Sequence, residues 1–146
     1  DAPSTITRLQ NMGTPDYLIS AACQMVLAQR LARRSCKDCR VPDDDVTPKV
    51  LQDLGFSPEQ ASRVKALKGK GCPKCKDSGY KGRQGIYEIL VVSKPVKEAI
   101  LRQATTPELR EIAIKEGFQT MQDMGRRLIA NGELNFREYE RVLSAS

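Results

Sequence analysis

Two apolar stripes predict two helices at the start of the chain. Their members are Ile6, Leu9 and Met12 in the first helix and Leu18, Ala22 and Met25 in the second. Gly13 ends the first helix, and Pro15 opens the second. Residues 26–34 are also partly apolar, but their pattern fits a helix and a strand equally well.

The middle of the chain, residues 35–92, combines short helices with a strand. Thr47 precedes a proline at a predicted helix start, and Ser57 forms a capping box with Gln60, so we expect two short helices here. Residues 86–92 are rich in β-branched and aromatic side chains, which is typical of a strand.

Residues 93–146 predict four short helices that form a small bundle. The predicted starts are at Ser93, Thr106, Thr120 and Asn135, and the stops are at Gly117 and Gly132. Each helix carries a one-sided apolar stripe, which indicates packing against a core. The whole chain is therefore expected to have an α+β fold that is mostly helical.

The composition is that of a folded domain. Of the 146 residues, 40% are hydrophobic and 29% are charged, and the formal net charge is a modest +6. No window of about 18 residues is apolar throughout, so we expect no membrane-spanning helix. The chain begins at Asp1 without an initiator methionine, and we expect it to be a piece of a longer protein.

Two absences restrict the chemistry. There is no histidine, which excludes a Ser-His-Asp triad, a Cys-His nucleophile pair and a mixed histidine and cysteine metal site. There is also no G-x-x-x-x-G-K-[S/T] phosphate loop. The most similar stretch, residues 68–71, has the wrong glycine spacing and lacks the serine or threonine hydroxyl group. We therefore predict that this chain is not itself an enzyme and that it has no catalytic or nucleotide-binding residues.

Four of the five cysteines form two C-x-x-C pairs. They are Cys36 with Cys39 and Cys72 with Cys75, and 32 residues separate the pairs. Each pair makes a tight loop that directs two sulfurs to one point, so the two pairs supply the four thiolates of a closed tetrahedral site. We predict one structural zinc ion on Cys36, Cys39, Cys72 and Cys75, with no open position for water.

Other uses of the cysteines are less well supported. Iron also binds four thiolates, so spacing alone does not fix the metal. Two disulfides would suit a secreted chain, and a thioredoxin-like motif needs one C-x-x-C at a helix start after a strand, but neither context is visible. The fifth cysteine, Cys23, lies in an apolar run and is predicted to be a small buried residue.

A free-standing zinc ribbon that binds nucleic acid is an alternative function. Residues 65–83 hold seven bases and one acid, which would give several phosphate contacts. Tyr80 is the only aromatic residue there, so the stretch offers little surface for base stacking. The basic side chains would also offset the net charge of −2 of a four-thiolate metal site. Nucleic acid is therefore the less favoured partner.

A glycine-rich motif follows the second cysteine pair. Residues 79–88 read Gly-Tyr-x-Gly-Arg-x-Gly-Ile-Tyr-Glu, and upstream residues 28–33 read Ala-Gln-Arg-Leu-x-Arg shortly before the first pair. These motifs resemble the type II secretion ATPases and the type IV pilus extension ATPases. The resemblance covers essentially the whole chain, and it is specific because both cysteine pairs occur together with the glycine-rich motif.

The resemblance implies an organisation in three segments. Residues 1–34 would be the end of a RecA-like ATPase domain, residues 35–92 a tetracysteine zinc-ribbon-like subdomain with two inserted helices, and residues 93–146 a helical C-terminal subdomain. In that family the nucleotide-binding motifs precede the stretch seen here. ATP and Mg²⁺ would therefore be bound only by the parent protein, and the zinc ligands are the only functional residues that carry over.

The resemblance also implies partners and a location. The family works as cytoplasmic homohexamers, peripheral at the inner membrane, on a platform protein of the pilus or secretion machine. Relatives that retract pili lack the four cysteines, so the cysteines favour pilus extension or secretion. We expect the segment itself to have a structural and interaction role, with other subunits and the platform protein as partners and no direct membrane insertion.

Overall fold

Local sequence signals set most element boundaries in residues 1–144, the part of the chain that the computed structural model describes. The helices are α1 (Ala2–Asn11), α2 (Asp16–Ala22), α3 (Pro48–Asp53), α4 (Pro58–Arg63), α5 (Lys94–Leu101), α6 (Thr106–Lys115), α7 (Met121–Ala130) and α8 (Phe136–Leu143). The strands are β1 (Met25–Ser35), β2 (Arg40–Pro42), β3 (Leu67–Gly69) and β4 (Tyr80–Val91). More of these residues lie in helices than in strands, so the mostly helical α+β fold is confirmed.

Capping residues explain several of the helix starts. The side chain of Thr47 accepts a hydrogen bond from the backbone at the start of α3. Ser57 and Gln60 form the predicted capping box, with Gln60 N donating to Ser57 Oγ at 3.1 Å and Ser57 N donating to Gln60 Oε1 at 3.0 Å. Asn135 caps α8 by accepting from Glu138 N at 2.7 Å. These short-range predictions are confirmed.

The apolar stripes near the N-terminus were predicted less well. Residues 26–34, which fitted two structures, lie in strand β1. Met12, Leu18 and Met25 are 74%, 47% and 52% exposed, and Met25 lies in β1, outside the helix in which it was predicted. Helix α2 ends at Ala22 and buries Ile19, which turns the helix away from the predicted stripe.

The first compact unit is formed by two stretches that are separated in the sequence. It consists of residues 1–29 and 87–120, and it contains α1, α2, α5 and α6 with parts of β1 and β4. Its core is built from apolar side chains of all four helices and of β4, among them Ile6, Ile19, Leu90, Ile100 and Leu109. Glu88 ties β4 to α1 by accepting from Ala2 N at 2.7 Å.

The second compact unit consists of residues 30–86 and 121–146. Within its described residues it contains β2, β3, α3, α4, α7, α8 and the remaining parts of β1 and β4. Strands β2 and β3 pair antiparallel, with Arg40 opposite Gly69 and Pro42 opposite Leu67, while β1 pairs with β4. Helices α7 and α8 pack closely at Gly125, where an added Cβ would lie 2.5 Å from a Leu143 methyl group.

The predicted C-terminal bundle is divided between the two units. Helices α5 and α6 belong to the first unit, whereas α7 and α8 belong to the second. A one-sided apolar stripe indicates that a helix packs against other elements, but it does not identify which elements those are. The predicted organisation in three segments, with boundaries after residues 34 and 92, stays a prediction.

Within residues 1–144, no helix has the length and apolar composition needed to cross a bilayer.

A buried carboxylate fixes α8 within the second unit. Glu138 is fully buried and accepts hydrogen bonds from Arg33 N at 2.6 Å, Arg33 Nη2 at 3.0 Å and Arg141 Nη2 at 2.6 Å. The Arg33 guanidinium lies over the Tyr80 ring, 4.1 Å from its centroid, and Asn135 Nδ2 donates to the Tyr80 hydroxyl at 2.9 Å. Burial raises the pKa of Glu138, but the hydrogen bonds from Arg141 and Arg33 outweigh it and lower the pKa to about 2.

Replacing this carboxylate with a neutral amide should destabilise the protein. For Glu138→Gln we expect the free energy of unfolding at neutral pH to fall by about 1–3 kcal/mol, because charge-assisted hydrogen bonds are lost. The loss is limited because Arg33 and Arg141 are 48% and 55% exposed and water can solvate them. Chemical denaturation measures the change.

The pH dependence has a definite sign. Folding lowers the pKa of Glu138 from its ordinary value of 4.5 to about 2, so its contribution is complete above pH 4.5 and is lost as the pH falls towards 2. The stability difference between wild type and Glu138→Gln should shrink over that range. Glu140→Gln, an exposed position on the same helix, is the matched control and should stay within about 0.5 kcal/mol of wild type. Equal stability of all three proteins at neutral pH would contradict the assignment.

Candidate metal centre

Two pairs of strands bring the cysteine loops together. The first loop, Cys36 to Cys39, connects β1 to β2, and the second loop, which contains Cys72 and Cys75, connects β3 to β4. Because β1 pairs with β4 and β2 pairs with β3, the two loops lie at the same ends of both strand pairs. Cys36 N donates to Gly79 O at 2.9 Å, and Lys70 N donates to Cys39 O at 2.9 Å, which joins the loops directly.

All four predicted ligands meet at one point. Their sulfur atoms lie within 4.8 Å of one another, with 3.8 Å from Cys36 to Cys72, 3.9 Å from Cys39 to Cys75 and 3.7 Å from Cys72 to Cys75. A tetrahedron with metal–sulfur bonds of about 2.3 Å has edges of about 3.8 Å. The observed separations therefore fit a single four-coordinate ion, and they are too long for a disulfide bond.

Backbone N–H groups point at two of the four sulfurs. Gly71 N donates to Cys39 Sγ at 3.3 Å, and Cys75 Sγ accepts from Cys72 N and from Gly79 N, both at 3.2 Å. Burial raises the pKa of the Cys75 thiol, but these two N–H groups and the neighbouring thiols lower it to about 6. The hydrogen bond from Gly71 N lowers the pKa of the Cys39 thiol, but burial and the neighbouring thiols outweigh it and raise this pKa to about 11.

The candidate site is at least half-buried throughout and offers only sulfur, a soft donor atom. Cys36 and Cys75 are buried, and Cys39 and Cys72 are half-buried. Among the described residues, these four cysteines are the one group of three or more cysteine or carboxylate side chains close enough to share an ion. Four sulfur donors favour zinc or iron over magnesium or calcium, which prefer oxygen.

The base of the second cysteine loop is closed by two glycines that the sequence motif only partly indicated. A Cβ on Gly69 would lie 2.0 Å from Gly79 O, and a Cβ on Gly79 would lie 2.6 Å from Gly69 O. Gly79 also has φ +80°, in the left-handed region that favours glycine. Gly79 belongs to the glycine-rich motif, whereas Gly69 carried no signal, because its role arises from a contact across the base of the second loop.

Cys23 lies apart from the ligand set. It is half-buried, packs against the core of the first unit and donates from Sγ to Met25 O at 3.7 Å. The prediction of a fully buried small residue is therefore met only in part.

Comparison with known protein families gives a match over nearly the whole chain. The sequence profile of the family described as type II/IV secretion system protein matches residues 1–141. The chain belongs to this family. The cysteine centre is thus a feature of a chain that matches the family over nearly its whole length.

Individual relatives come from pilus and secretion systems. The type IV pilus assembly ATPase PilB of Myxococcus xanthus is 36% identical over 138 residues, which are 94% of this chain and 24% of the relative. PilB of Thermus thermophilus is 41% identical over 128 residues, 86% of this chain and 14% of the relative. The type II secretion system protein HxcR of Pseudomonas aeruginosa is 34% identical over 142 residues, 97% of this chain and 26% of the relative. The chain spans about a quarter of the relatives' length, or less.

Removing one ligand should remove the metal. We expect Cys36→Ser to lose its zinc and to unfold the cysteine loops, because a structural zinc ion contributes about 10–16 kcal/mol of apparent binding free energy to small zinc-dependent folds. Elemental analysis and thermal melting measure both effects. Cys23→Ser is the control and should keep its metal. Unchanged metal content and melting in Cys36→Ser would refute the site.

Adding a methyl group at the base of the second loop should have a related effect without changing a cysteine. We expect Gly69→Ala to destabilise the protein by about 1–3 kcal/mol or more through overpacking and to weaken metal binding. Gly82→Ala is the matched control, since its Cβ would meet nothing within 4 Å and only its φ of +81° is strained. Competition with a zinc-binding dye measures the affinity. Equal metal affinity in both variants would show that the contact does not position the ligands.

Proposed function

We propose that the chain is the zinc-binding C-terminal part of a hexameric motor ATPase that drives type IV pilus assembly or type II secretion. The observation that carries this proposal is the convergence of four cysteine sulfurs in a chain that belongs to the type II/IV secretion system family. The relatives named as pilus assembly ATPases and secretion proteins support the class of machine. The rest of the parent protein would bind ATP and Mg²⁺.

Zinc is proposed as a structural ion. Cys36, Cys39, Cys72 and Cys75 fill a tetrahedron and leave no position for a catalytic water. The ion would join two loops that are separated by 32 residues of sequence, so its binding energy would become folding energy for the second unit. The four-sulfur donor set and the half-buried environment support zinc in a zinc-ribbon-like subdomain.

An exposed apolar sheet face supports the proposal that residues 1–34 end a larger domain. In the first unit Met25 and Leu27 of β1 are both 52% exposed, and Ile89 and Val91 of β4 are 41% and 63% exposed. The alternate residue Leu90 is only 1% exposed, so the paired strands bury one face and expose the other. Contiguous apolar surface of this kind is typical of an interface. The remainder of a RecA-like domain would cover it in the complete protein.

We propose that the partners are the other subunits of the hexamer and the inner-membrane platform protein. The protein would then be cytoplasmic and peripheral at the inner membrane. Nucleic acid is a less suitable partner for the basic stretch at residues 65–83. Lys68 and Lys74 lie 4.0 and 3.7 Å from acidic side chains, and one face of the Tyr80 ring is covered by Arg33.

The test uses the full-length product of the gene that encodes this chain. We expect Cys72→Ser combined with Cys75→Ser to lose zinc, to assemble poorly into hexamers and to hydrolyse ATP slowly, because the second unit no longer folds. Light scattering measures assembly, and phosphate release measures turnover. Cys23→Ser is the control, since Cys23 lies outside the cysteine cluster.

Two results would contradict separate parts of the proposal. A full-length protein that never hydrolyses ATP would refute the motor. A double variant that lacks zinc yet forms active hexamers would refute the structural role of the ion while leaving the motor intact.

A further inference from the structure

The four cysteine sulfurs of the candidate metal centre differ in their hydrogen bonds. Cys75 Sγ accepts from two backbone N–H groups, both at 3.2 Å, and Cys39 Sγ accepts from one at 3.3 Å. Within residues 1–144, no N–H group donates to the sulfur of Cys36 or of Cys72. The fold therefore separates four chemically identical side chains into two pairs.

Burial distinguishes the two cysteines whose sulfurs accept no N–H hydrogen bond. Cys36 is 0% exposed, whereas Cys72 is half-buried and is followed by two exposed residues, 73–74. Of the other two cysteines, Cys75 is 6% exposed and Cys39 is half-buried. Among the four, Cys72 is therefore the cysteine that combines partial exposure with a sulfur free of N–H donors.

Both properties raise the reactivity of a thiolate towards electrophiles. An N–H group that donates to sulfur withdraws electron density from its lone pairs, and such hydrogen bonds tune the properties of thiolate metal sites. Oxidation of cysteine also follows thiolate character and exposure. Metal binding keeps all four sulfurs deprotonated, so hydrogen bonding and access, rather than proton loss, distinguish them.

We propose that Cys72 is the site at which a small hydroperoxide oxidises the metal centre. The Cys72 thiolate attacks one oxygen of hydrogen peroxide, and an S–O bond forms as the O–O bond breaks, so that sulfur gives two electrons to the peroxide. Hydroxide leaves and is protonated by the solvent. The product is a sulfenic acid, which is no longer a thiolate ligand, so we expect the metal to be released. The inference rests on the metal ion of the proposed function and not on the motor.

Two neighbouring thiolates lie close enough to complete the reaction. Cys75 Sγ is 3.7 Å and Cys36 Sγ is 3.8 Å from Cys72 Sγ. Either sulfur can attack the sulfenic acid, and an S–S bond forms as the S–O bond breaks and hydroxide leaves. Once the metal has left, the two sulfurs close to a bond of about 2.0 Å. A thiol reductant reverses the disulfide by exchange, after which the four thiols can bind the metal again.

The experiment exposes the metal-loaded Cys23→Ser chain, which lacks the one cysteine outside the cluster, to hydrogen peroxide and dimedone, a trap for sulfenic acids. Cleavage after lysine and arginine places each of the four ligands on a different peptide, so mass spectrometry identifies the first adduct. We expect Cys72 to gain the adduct about two- to tenfold faster than Cys39, the effect of one N–H hydrogen bond. A zinc-binding dye records metal release, which should keep pace with the Cys72 adduct.

The same chain stripped of its metal is the matched control. Its loops no longer hold the sulfurs in place, so we expect the preference for Cys72 over Cys39 to disappear. In the loaded chain, a first adduct on any other ligand, or equal rates at Cys39 and Cys72, would overturn the proposal. Metal release at a rate independent of the peroxide concentration would also overturn it, because the metal would then leave before any sulfur is oxidised. A chain that purifies without metal would refute the metal centre itself, and this inference with it.

Discussion

The candidate metal centre depends on one cysteine loop whose two ends meet backbone to backbone. The Gly69 and Gly79 main chains approach so closely that neither position has room for a Cβ atom. With the second loop closed at this point, Gly71 N reaches Cys39 Sγ of the first loop and Gly79 N reaches Cys75 Sγ of its own loop, and four sulfurs lie at the spacing of one tetrahedron. The missing side chains at Gly69 and Gly79, rather than the packing of an apolar core, set the geometry of the candidate metal centre.

Features governed by nearby residues could be predicted from the sequence. A C-x-x-C pair is complete within four residues, so the cluster of four cysteines could be expected from spacing. The capping box at Ser57 and the cap at Asn135 likewise involve partners three residues away. The strand predicted at residues 86–92 exists as β4, although it begins earlier, at Tyr80. In each case the partners are so close in sequence that the fold has little freedom to rearrange them.

Features that depend on distant residues could not be predicted. Glu138 has the pattern of an ordinary residue in a helical first turn, yet its carboxylate is fully buried against Arg33, which is 105 residues away. Ser35 also carried no signal, although the fold buries it completely. The stripes of α5 and α7 look alike in sequence, but the two helices belong to different units. Periodicity reports that a side chain is buried, whereas the partner is decided by the path of the chain.

Helices α3 and α4 form a segment whose two ends are tied together. Pro42 lies opposite Leu67 in the β2–β3 pair, and just beyond it Asp43 N donates to Ala66 O at 2.9 Å. Since the entropy of closing a loop grows slowly with its length, extra residues at the exposed turns of this segment would cost little in closure entropy and would leave the cysteines in place. Insertions there would reshape one surface of the protein without disturbing the cysteine cluster.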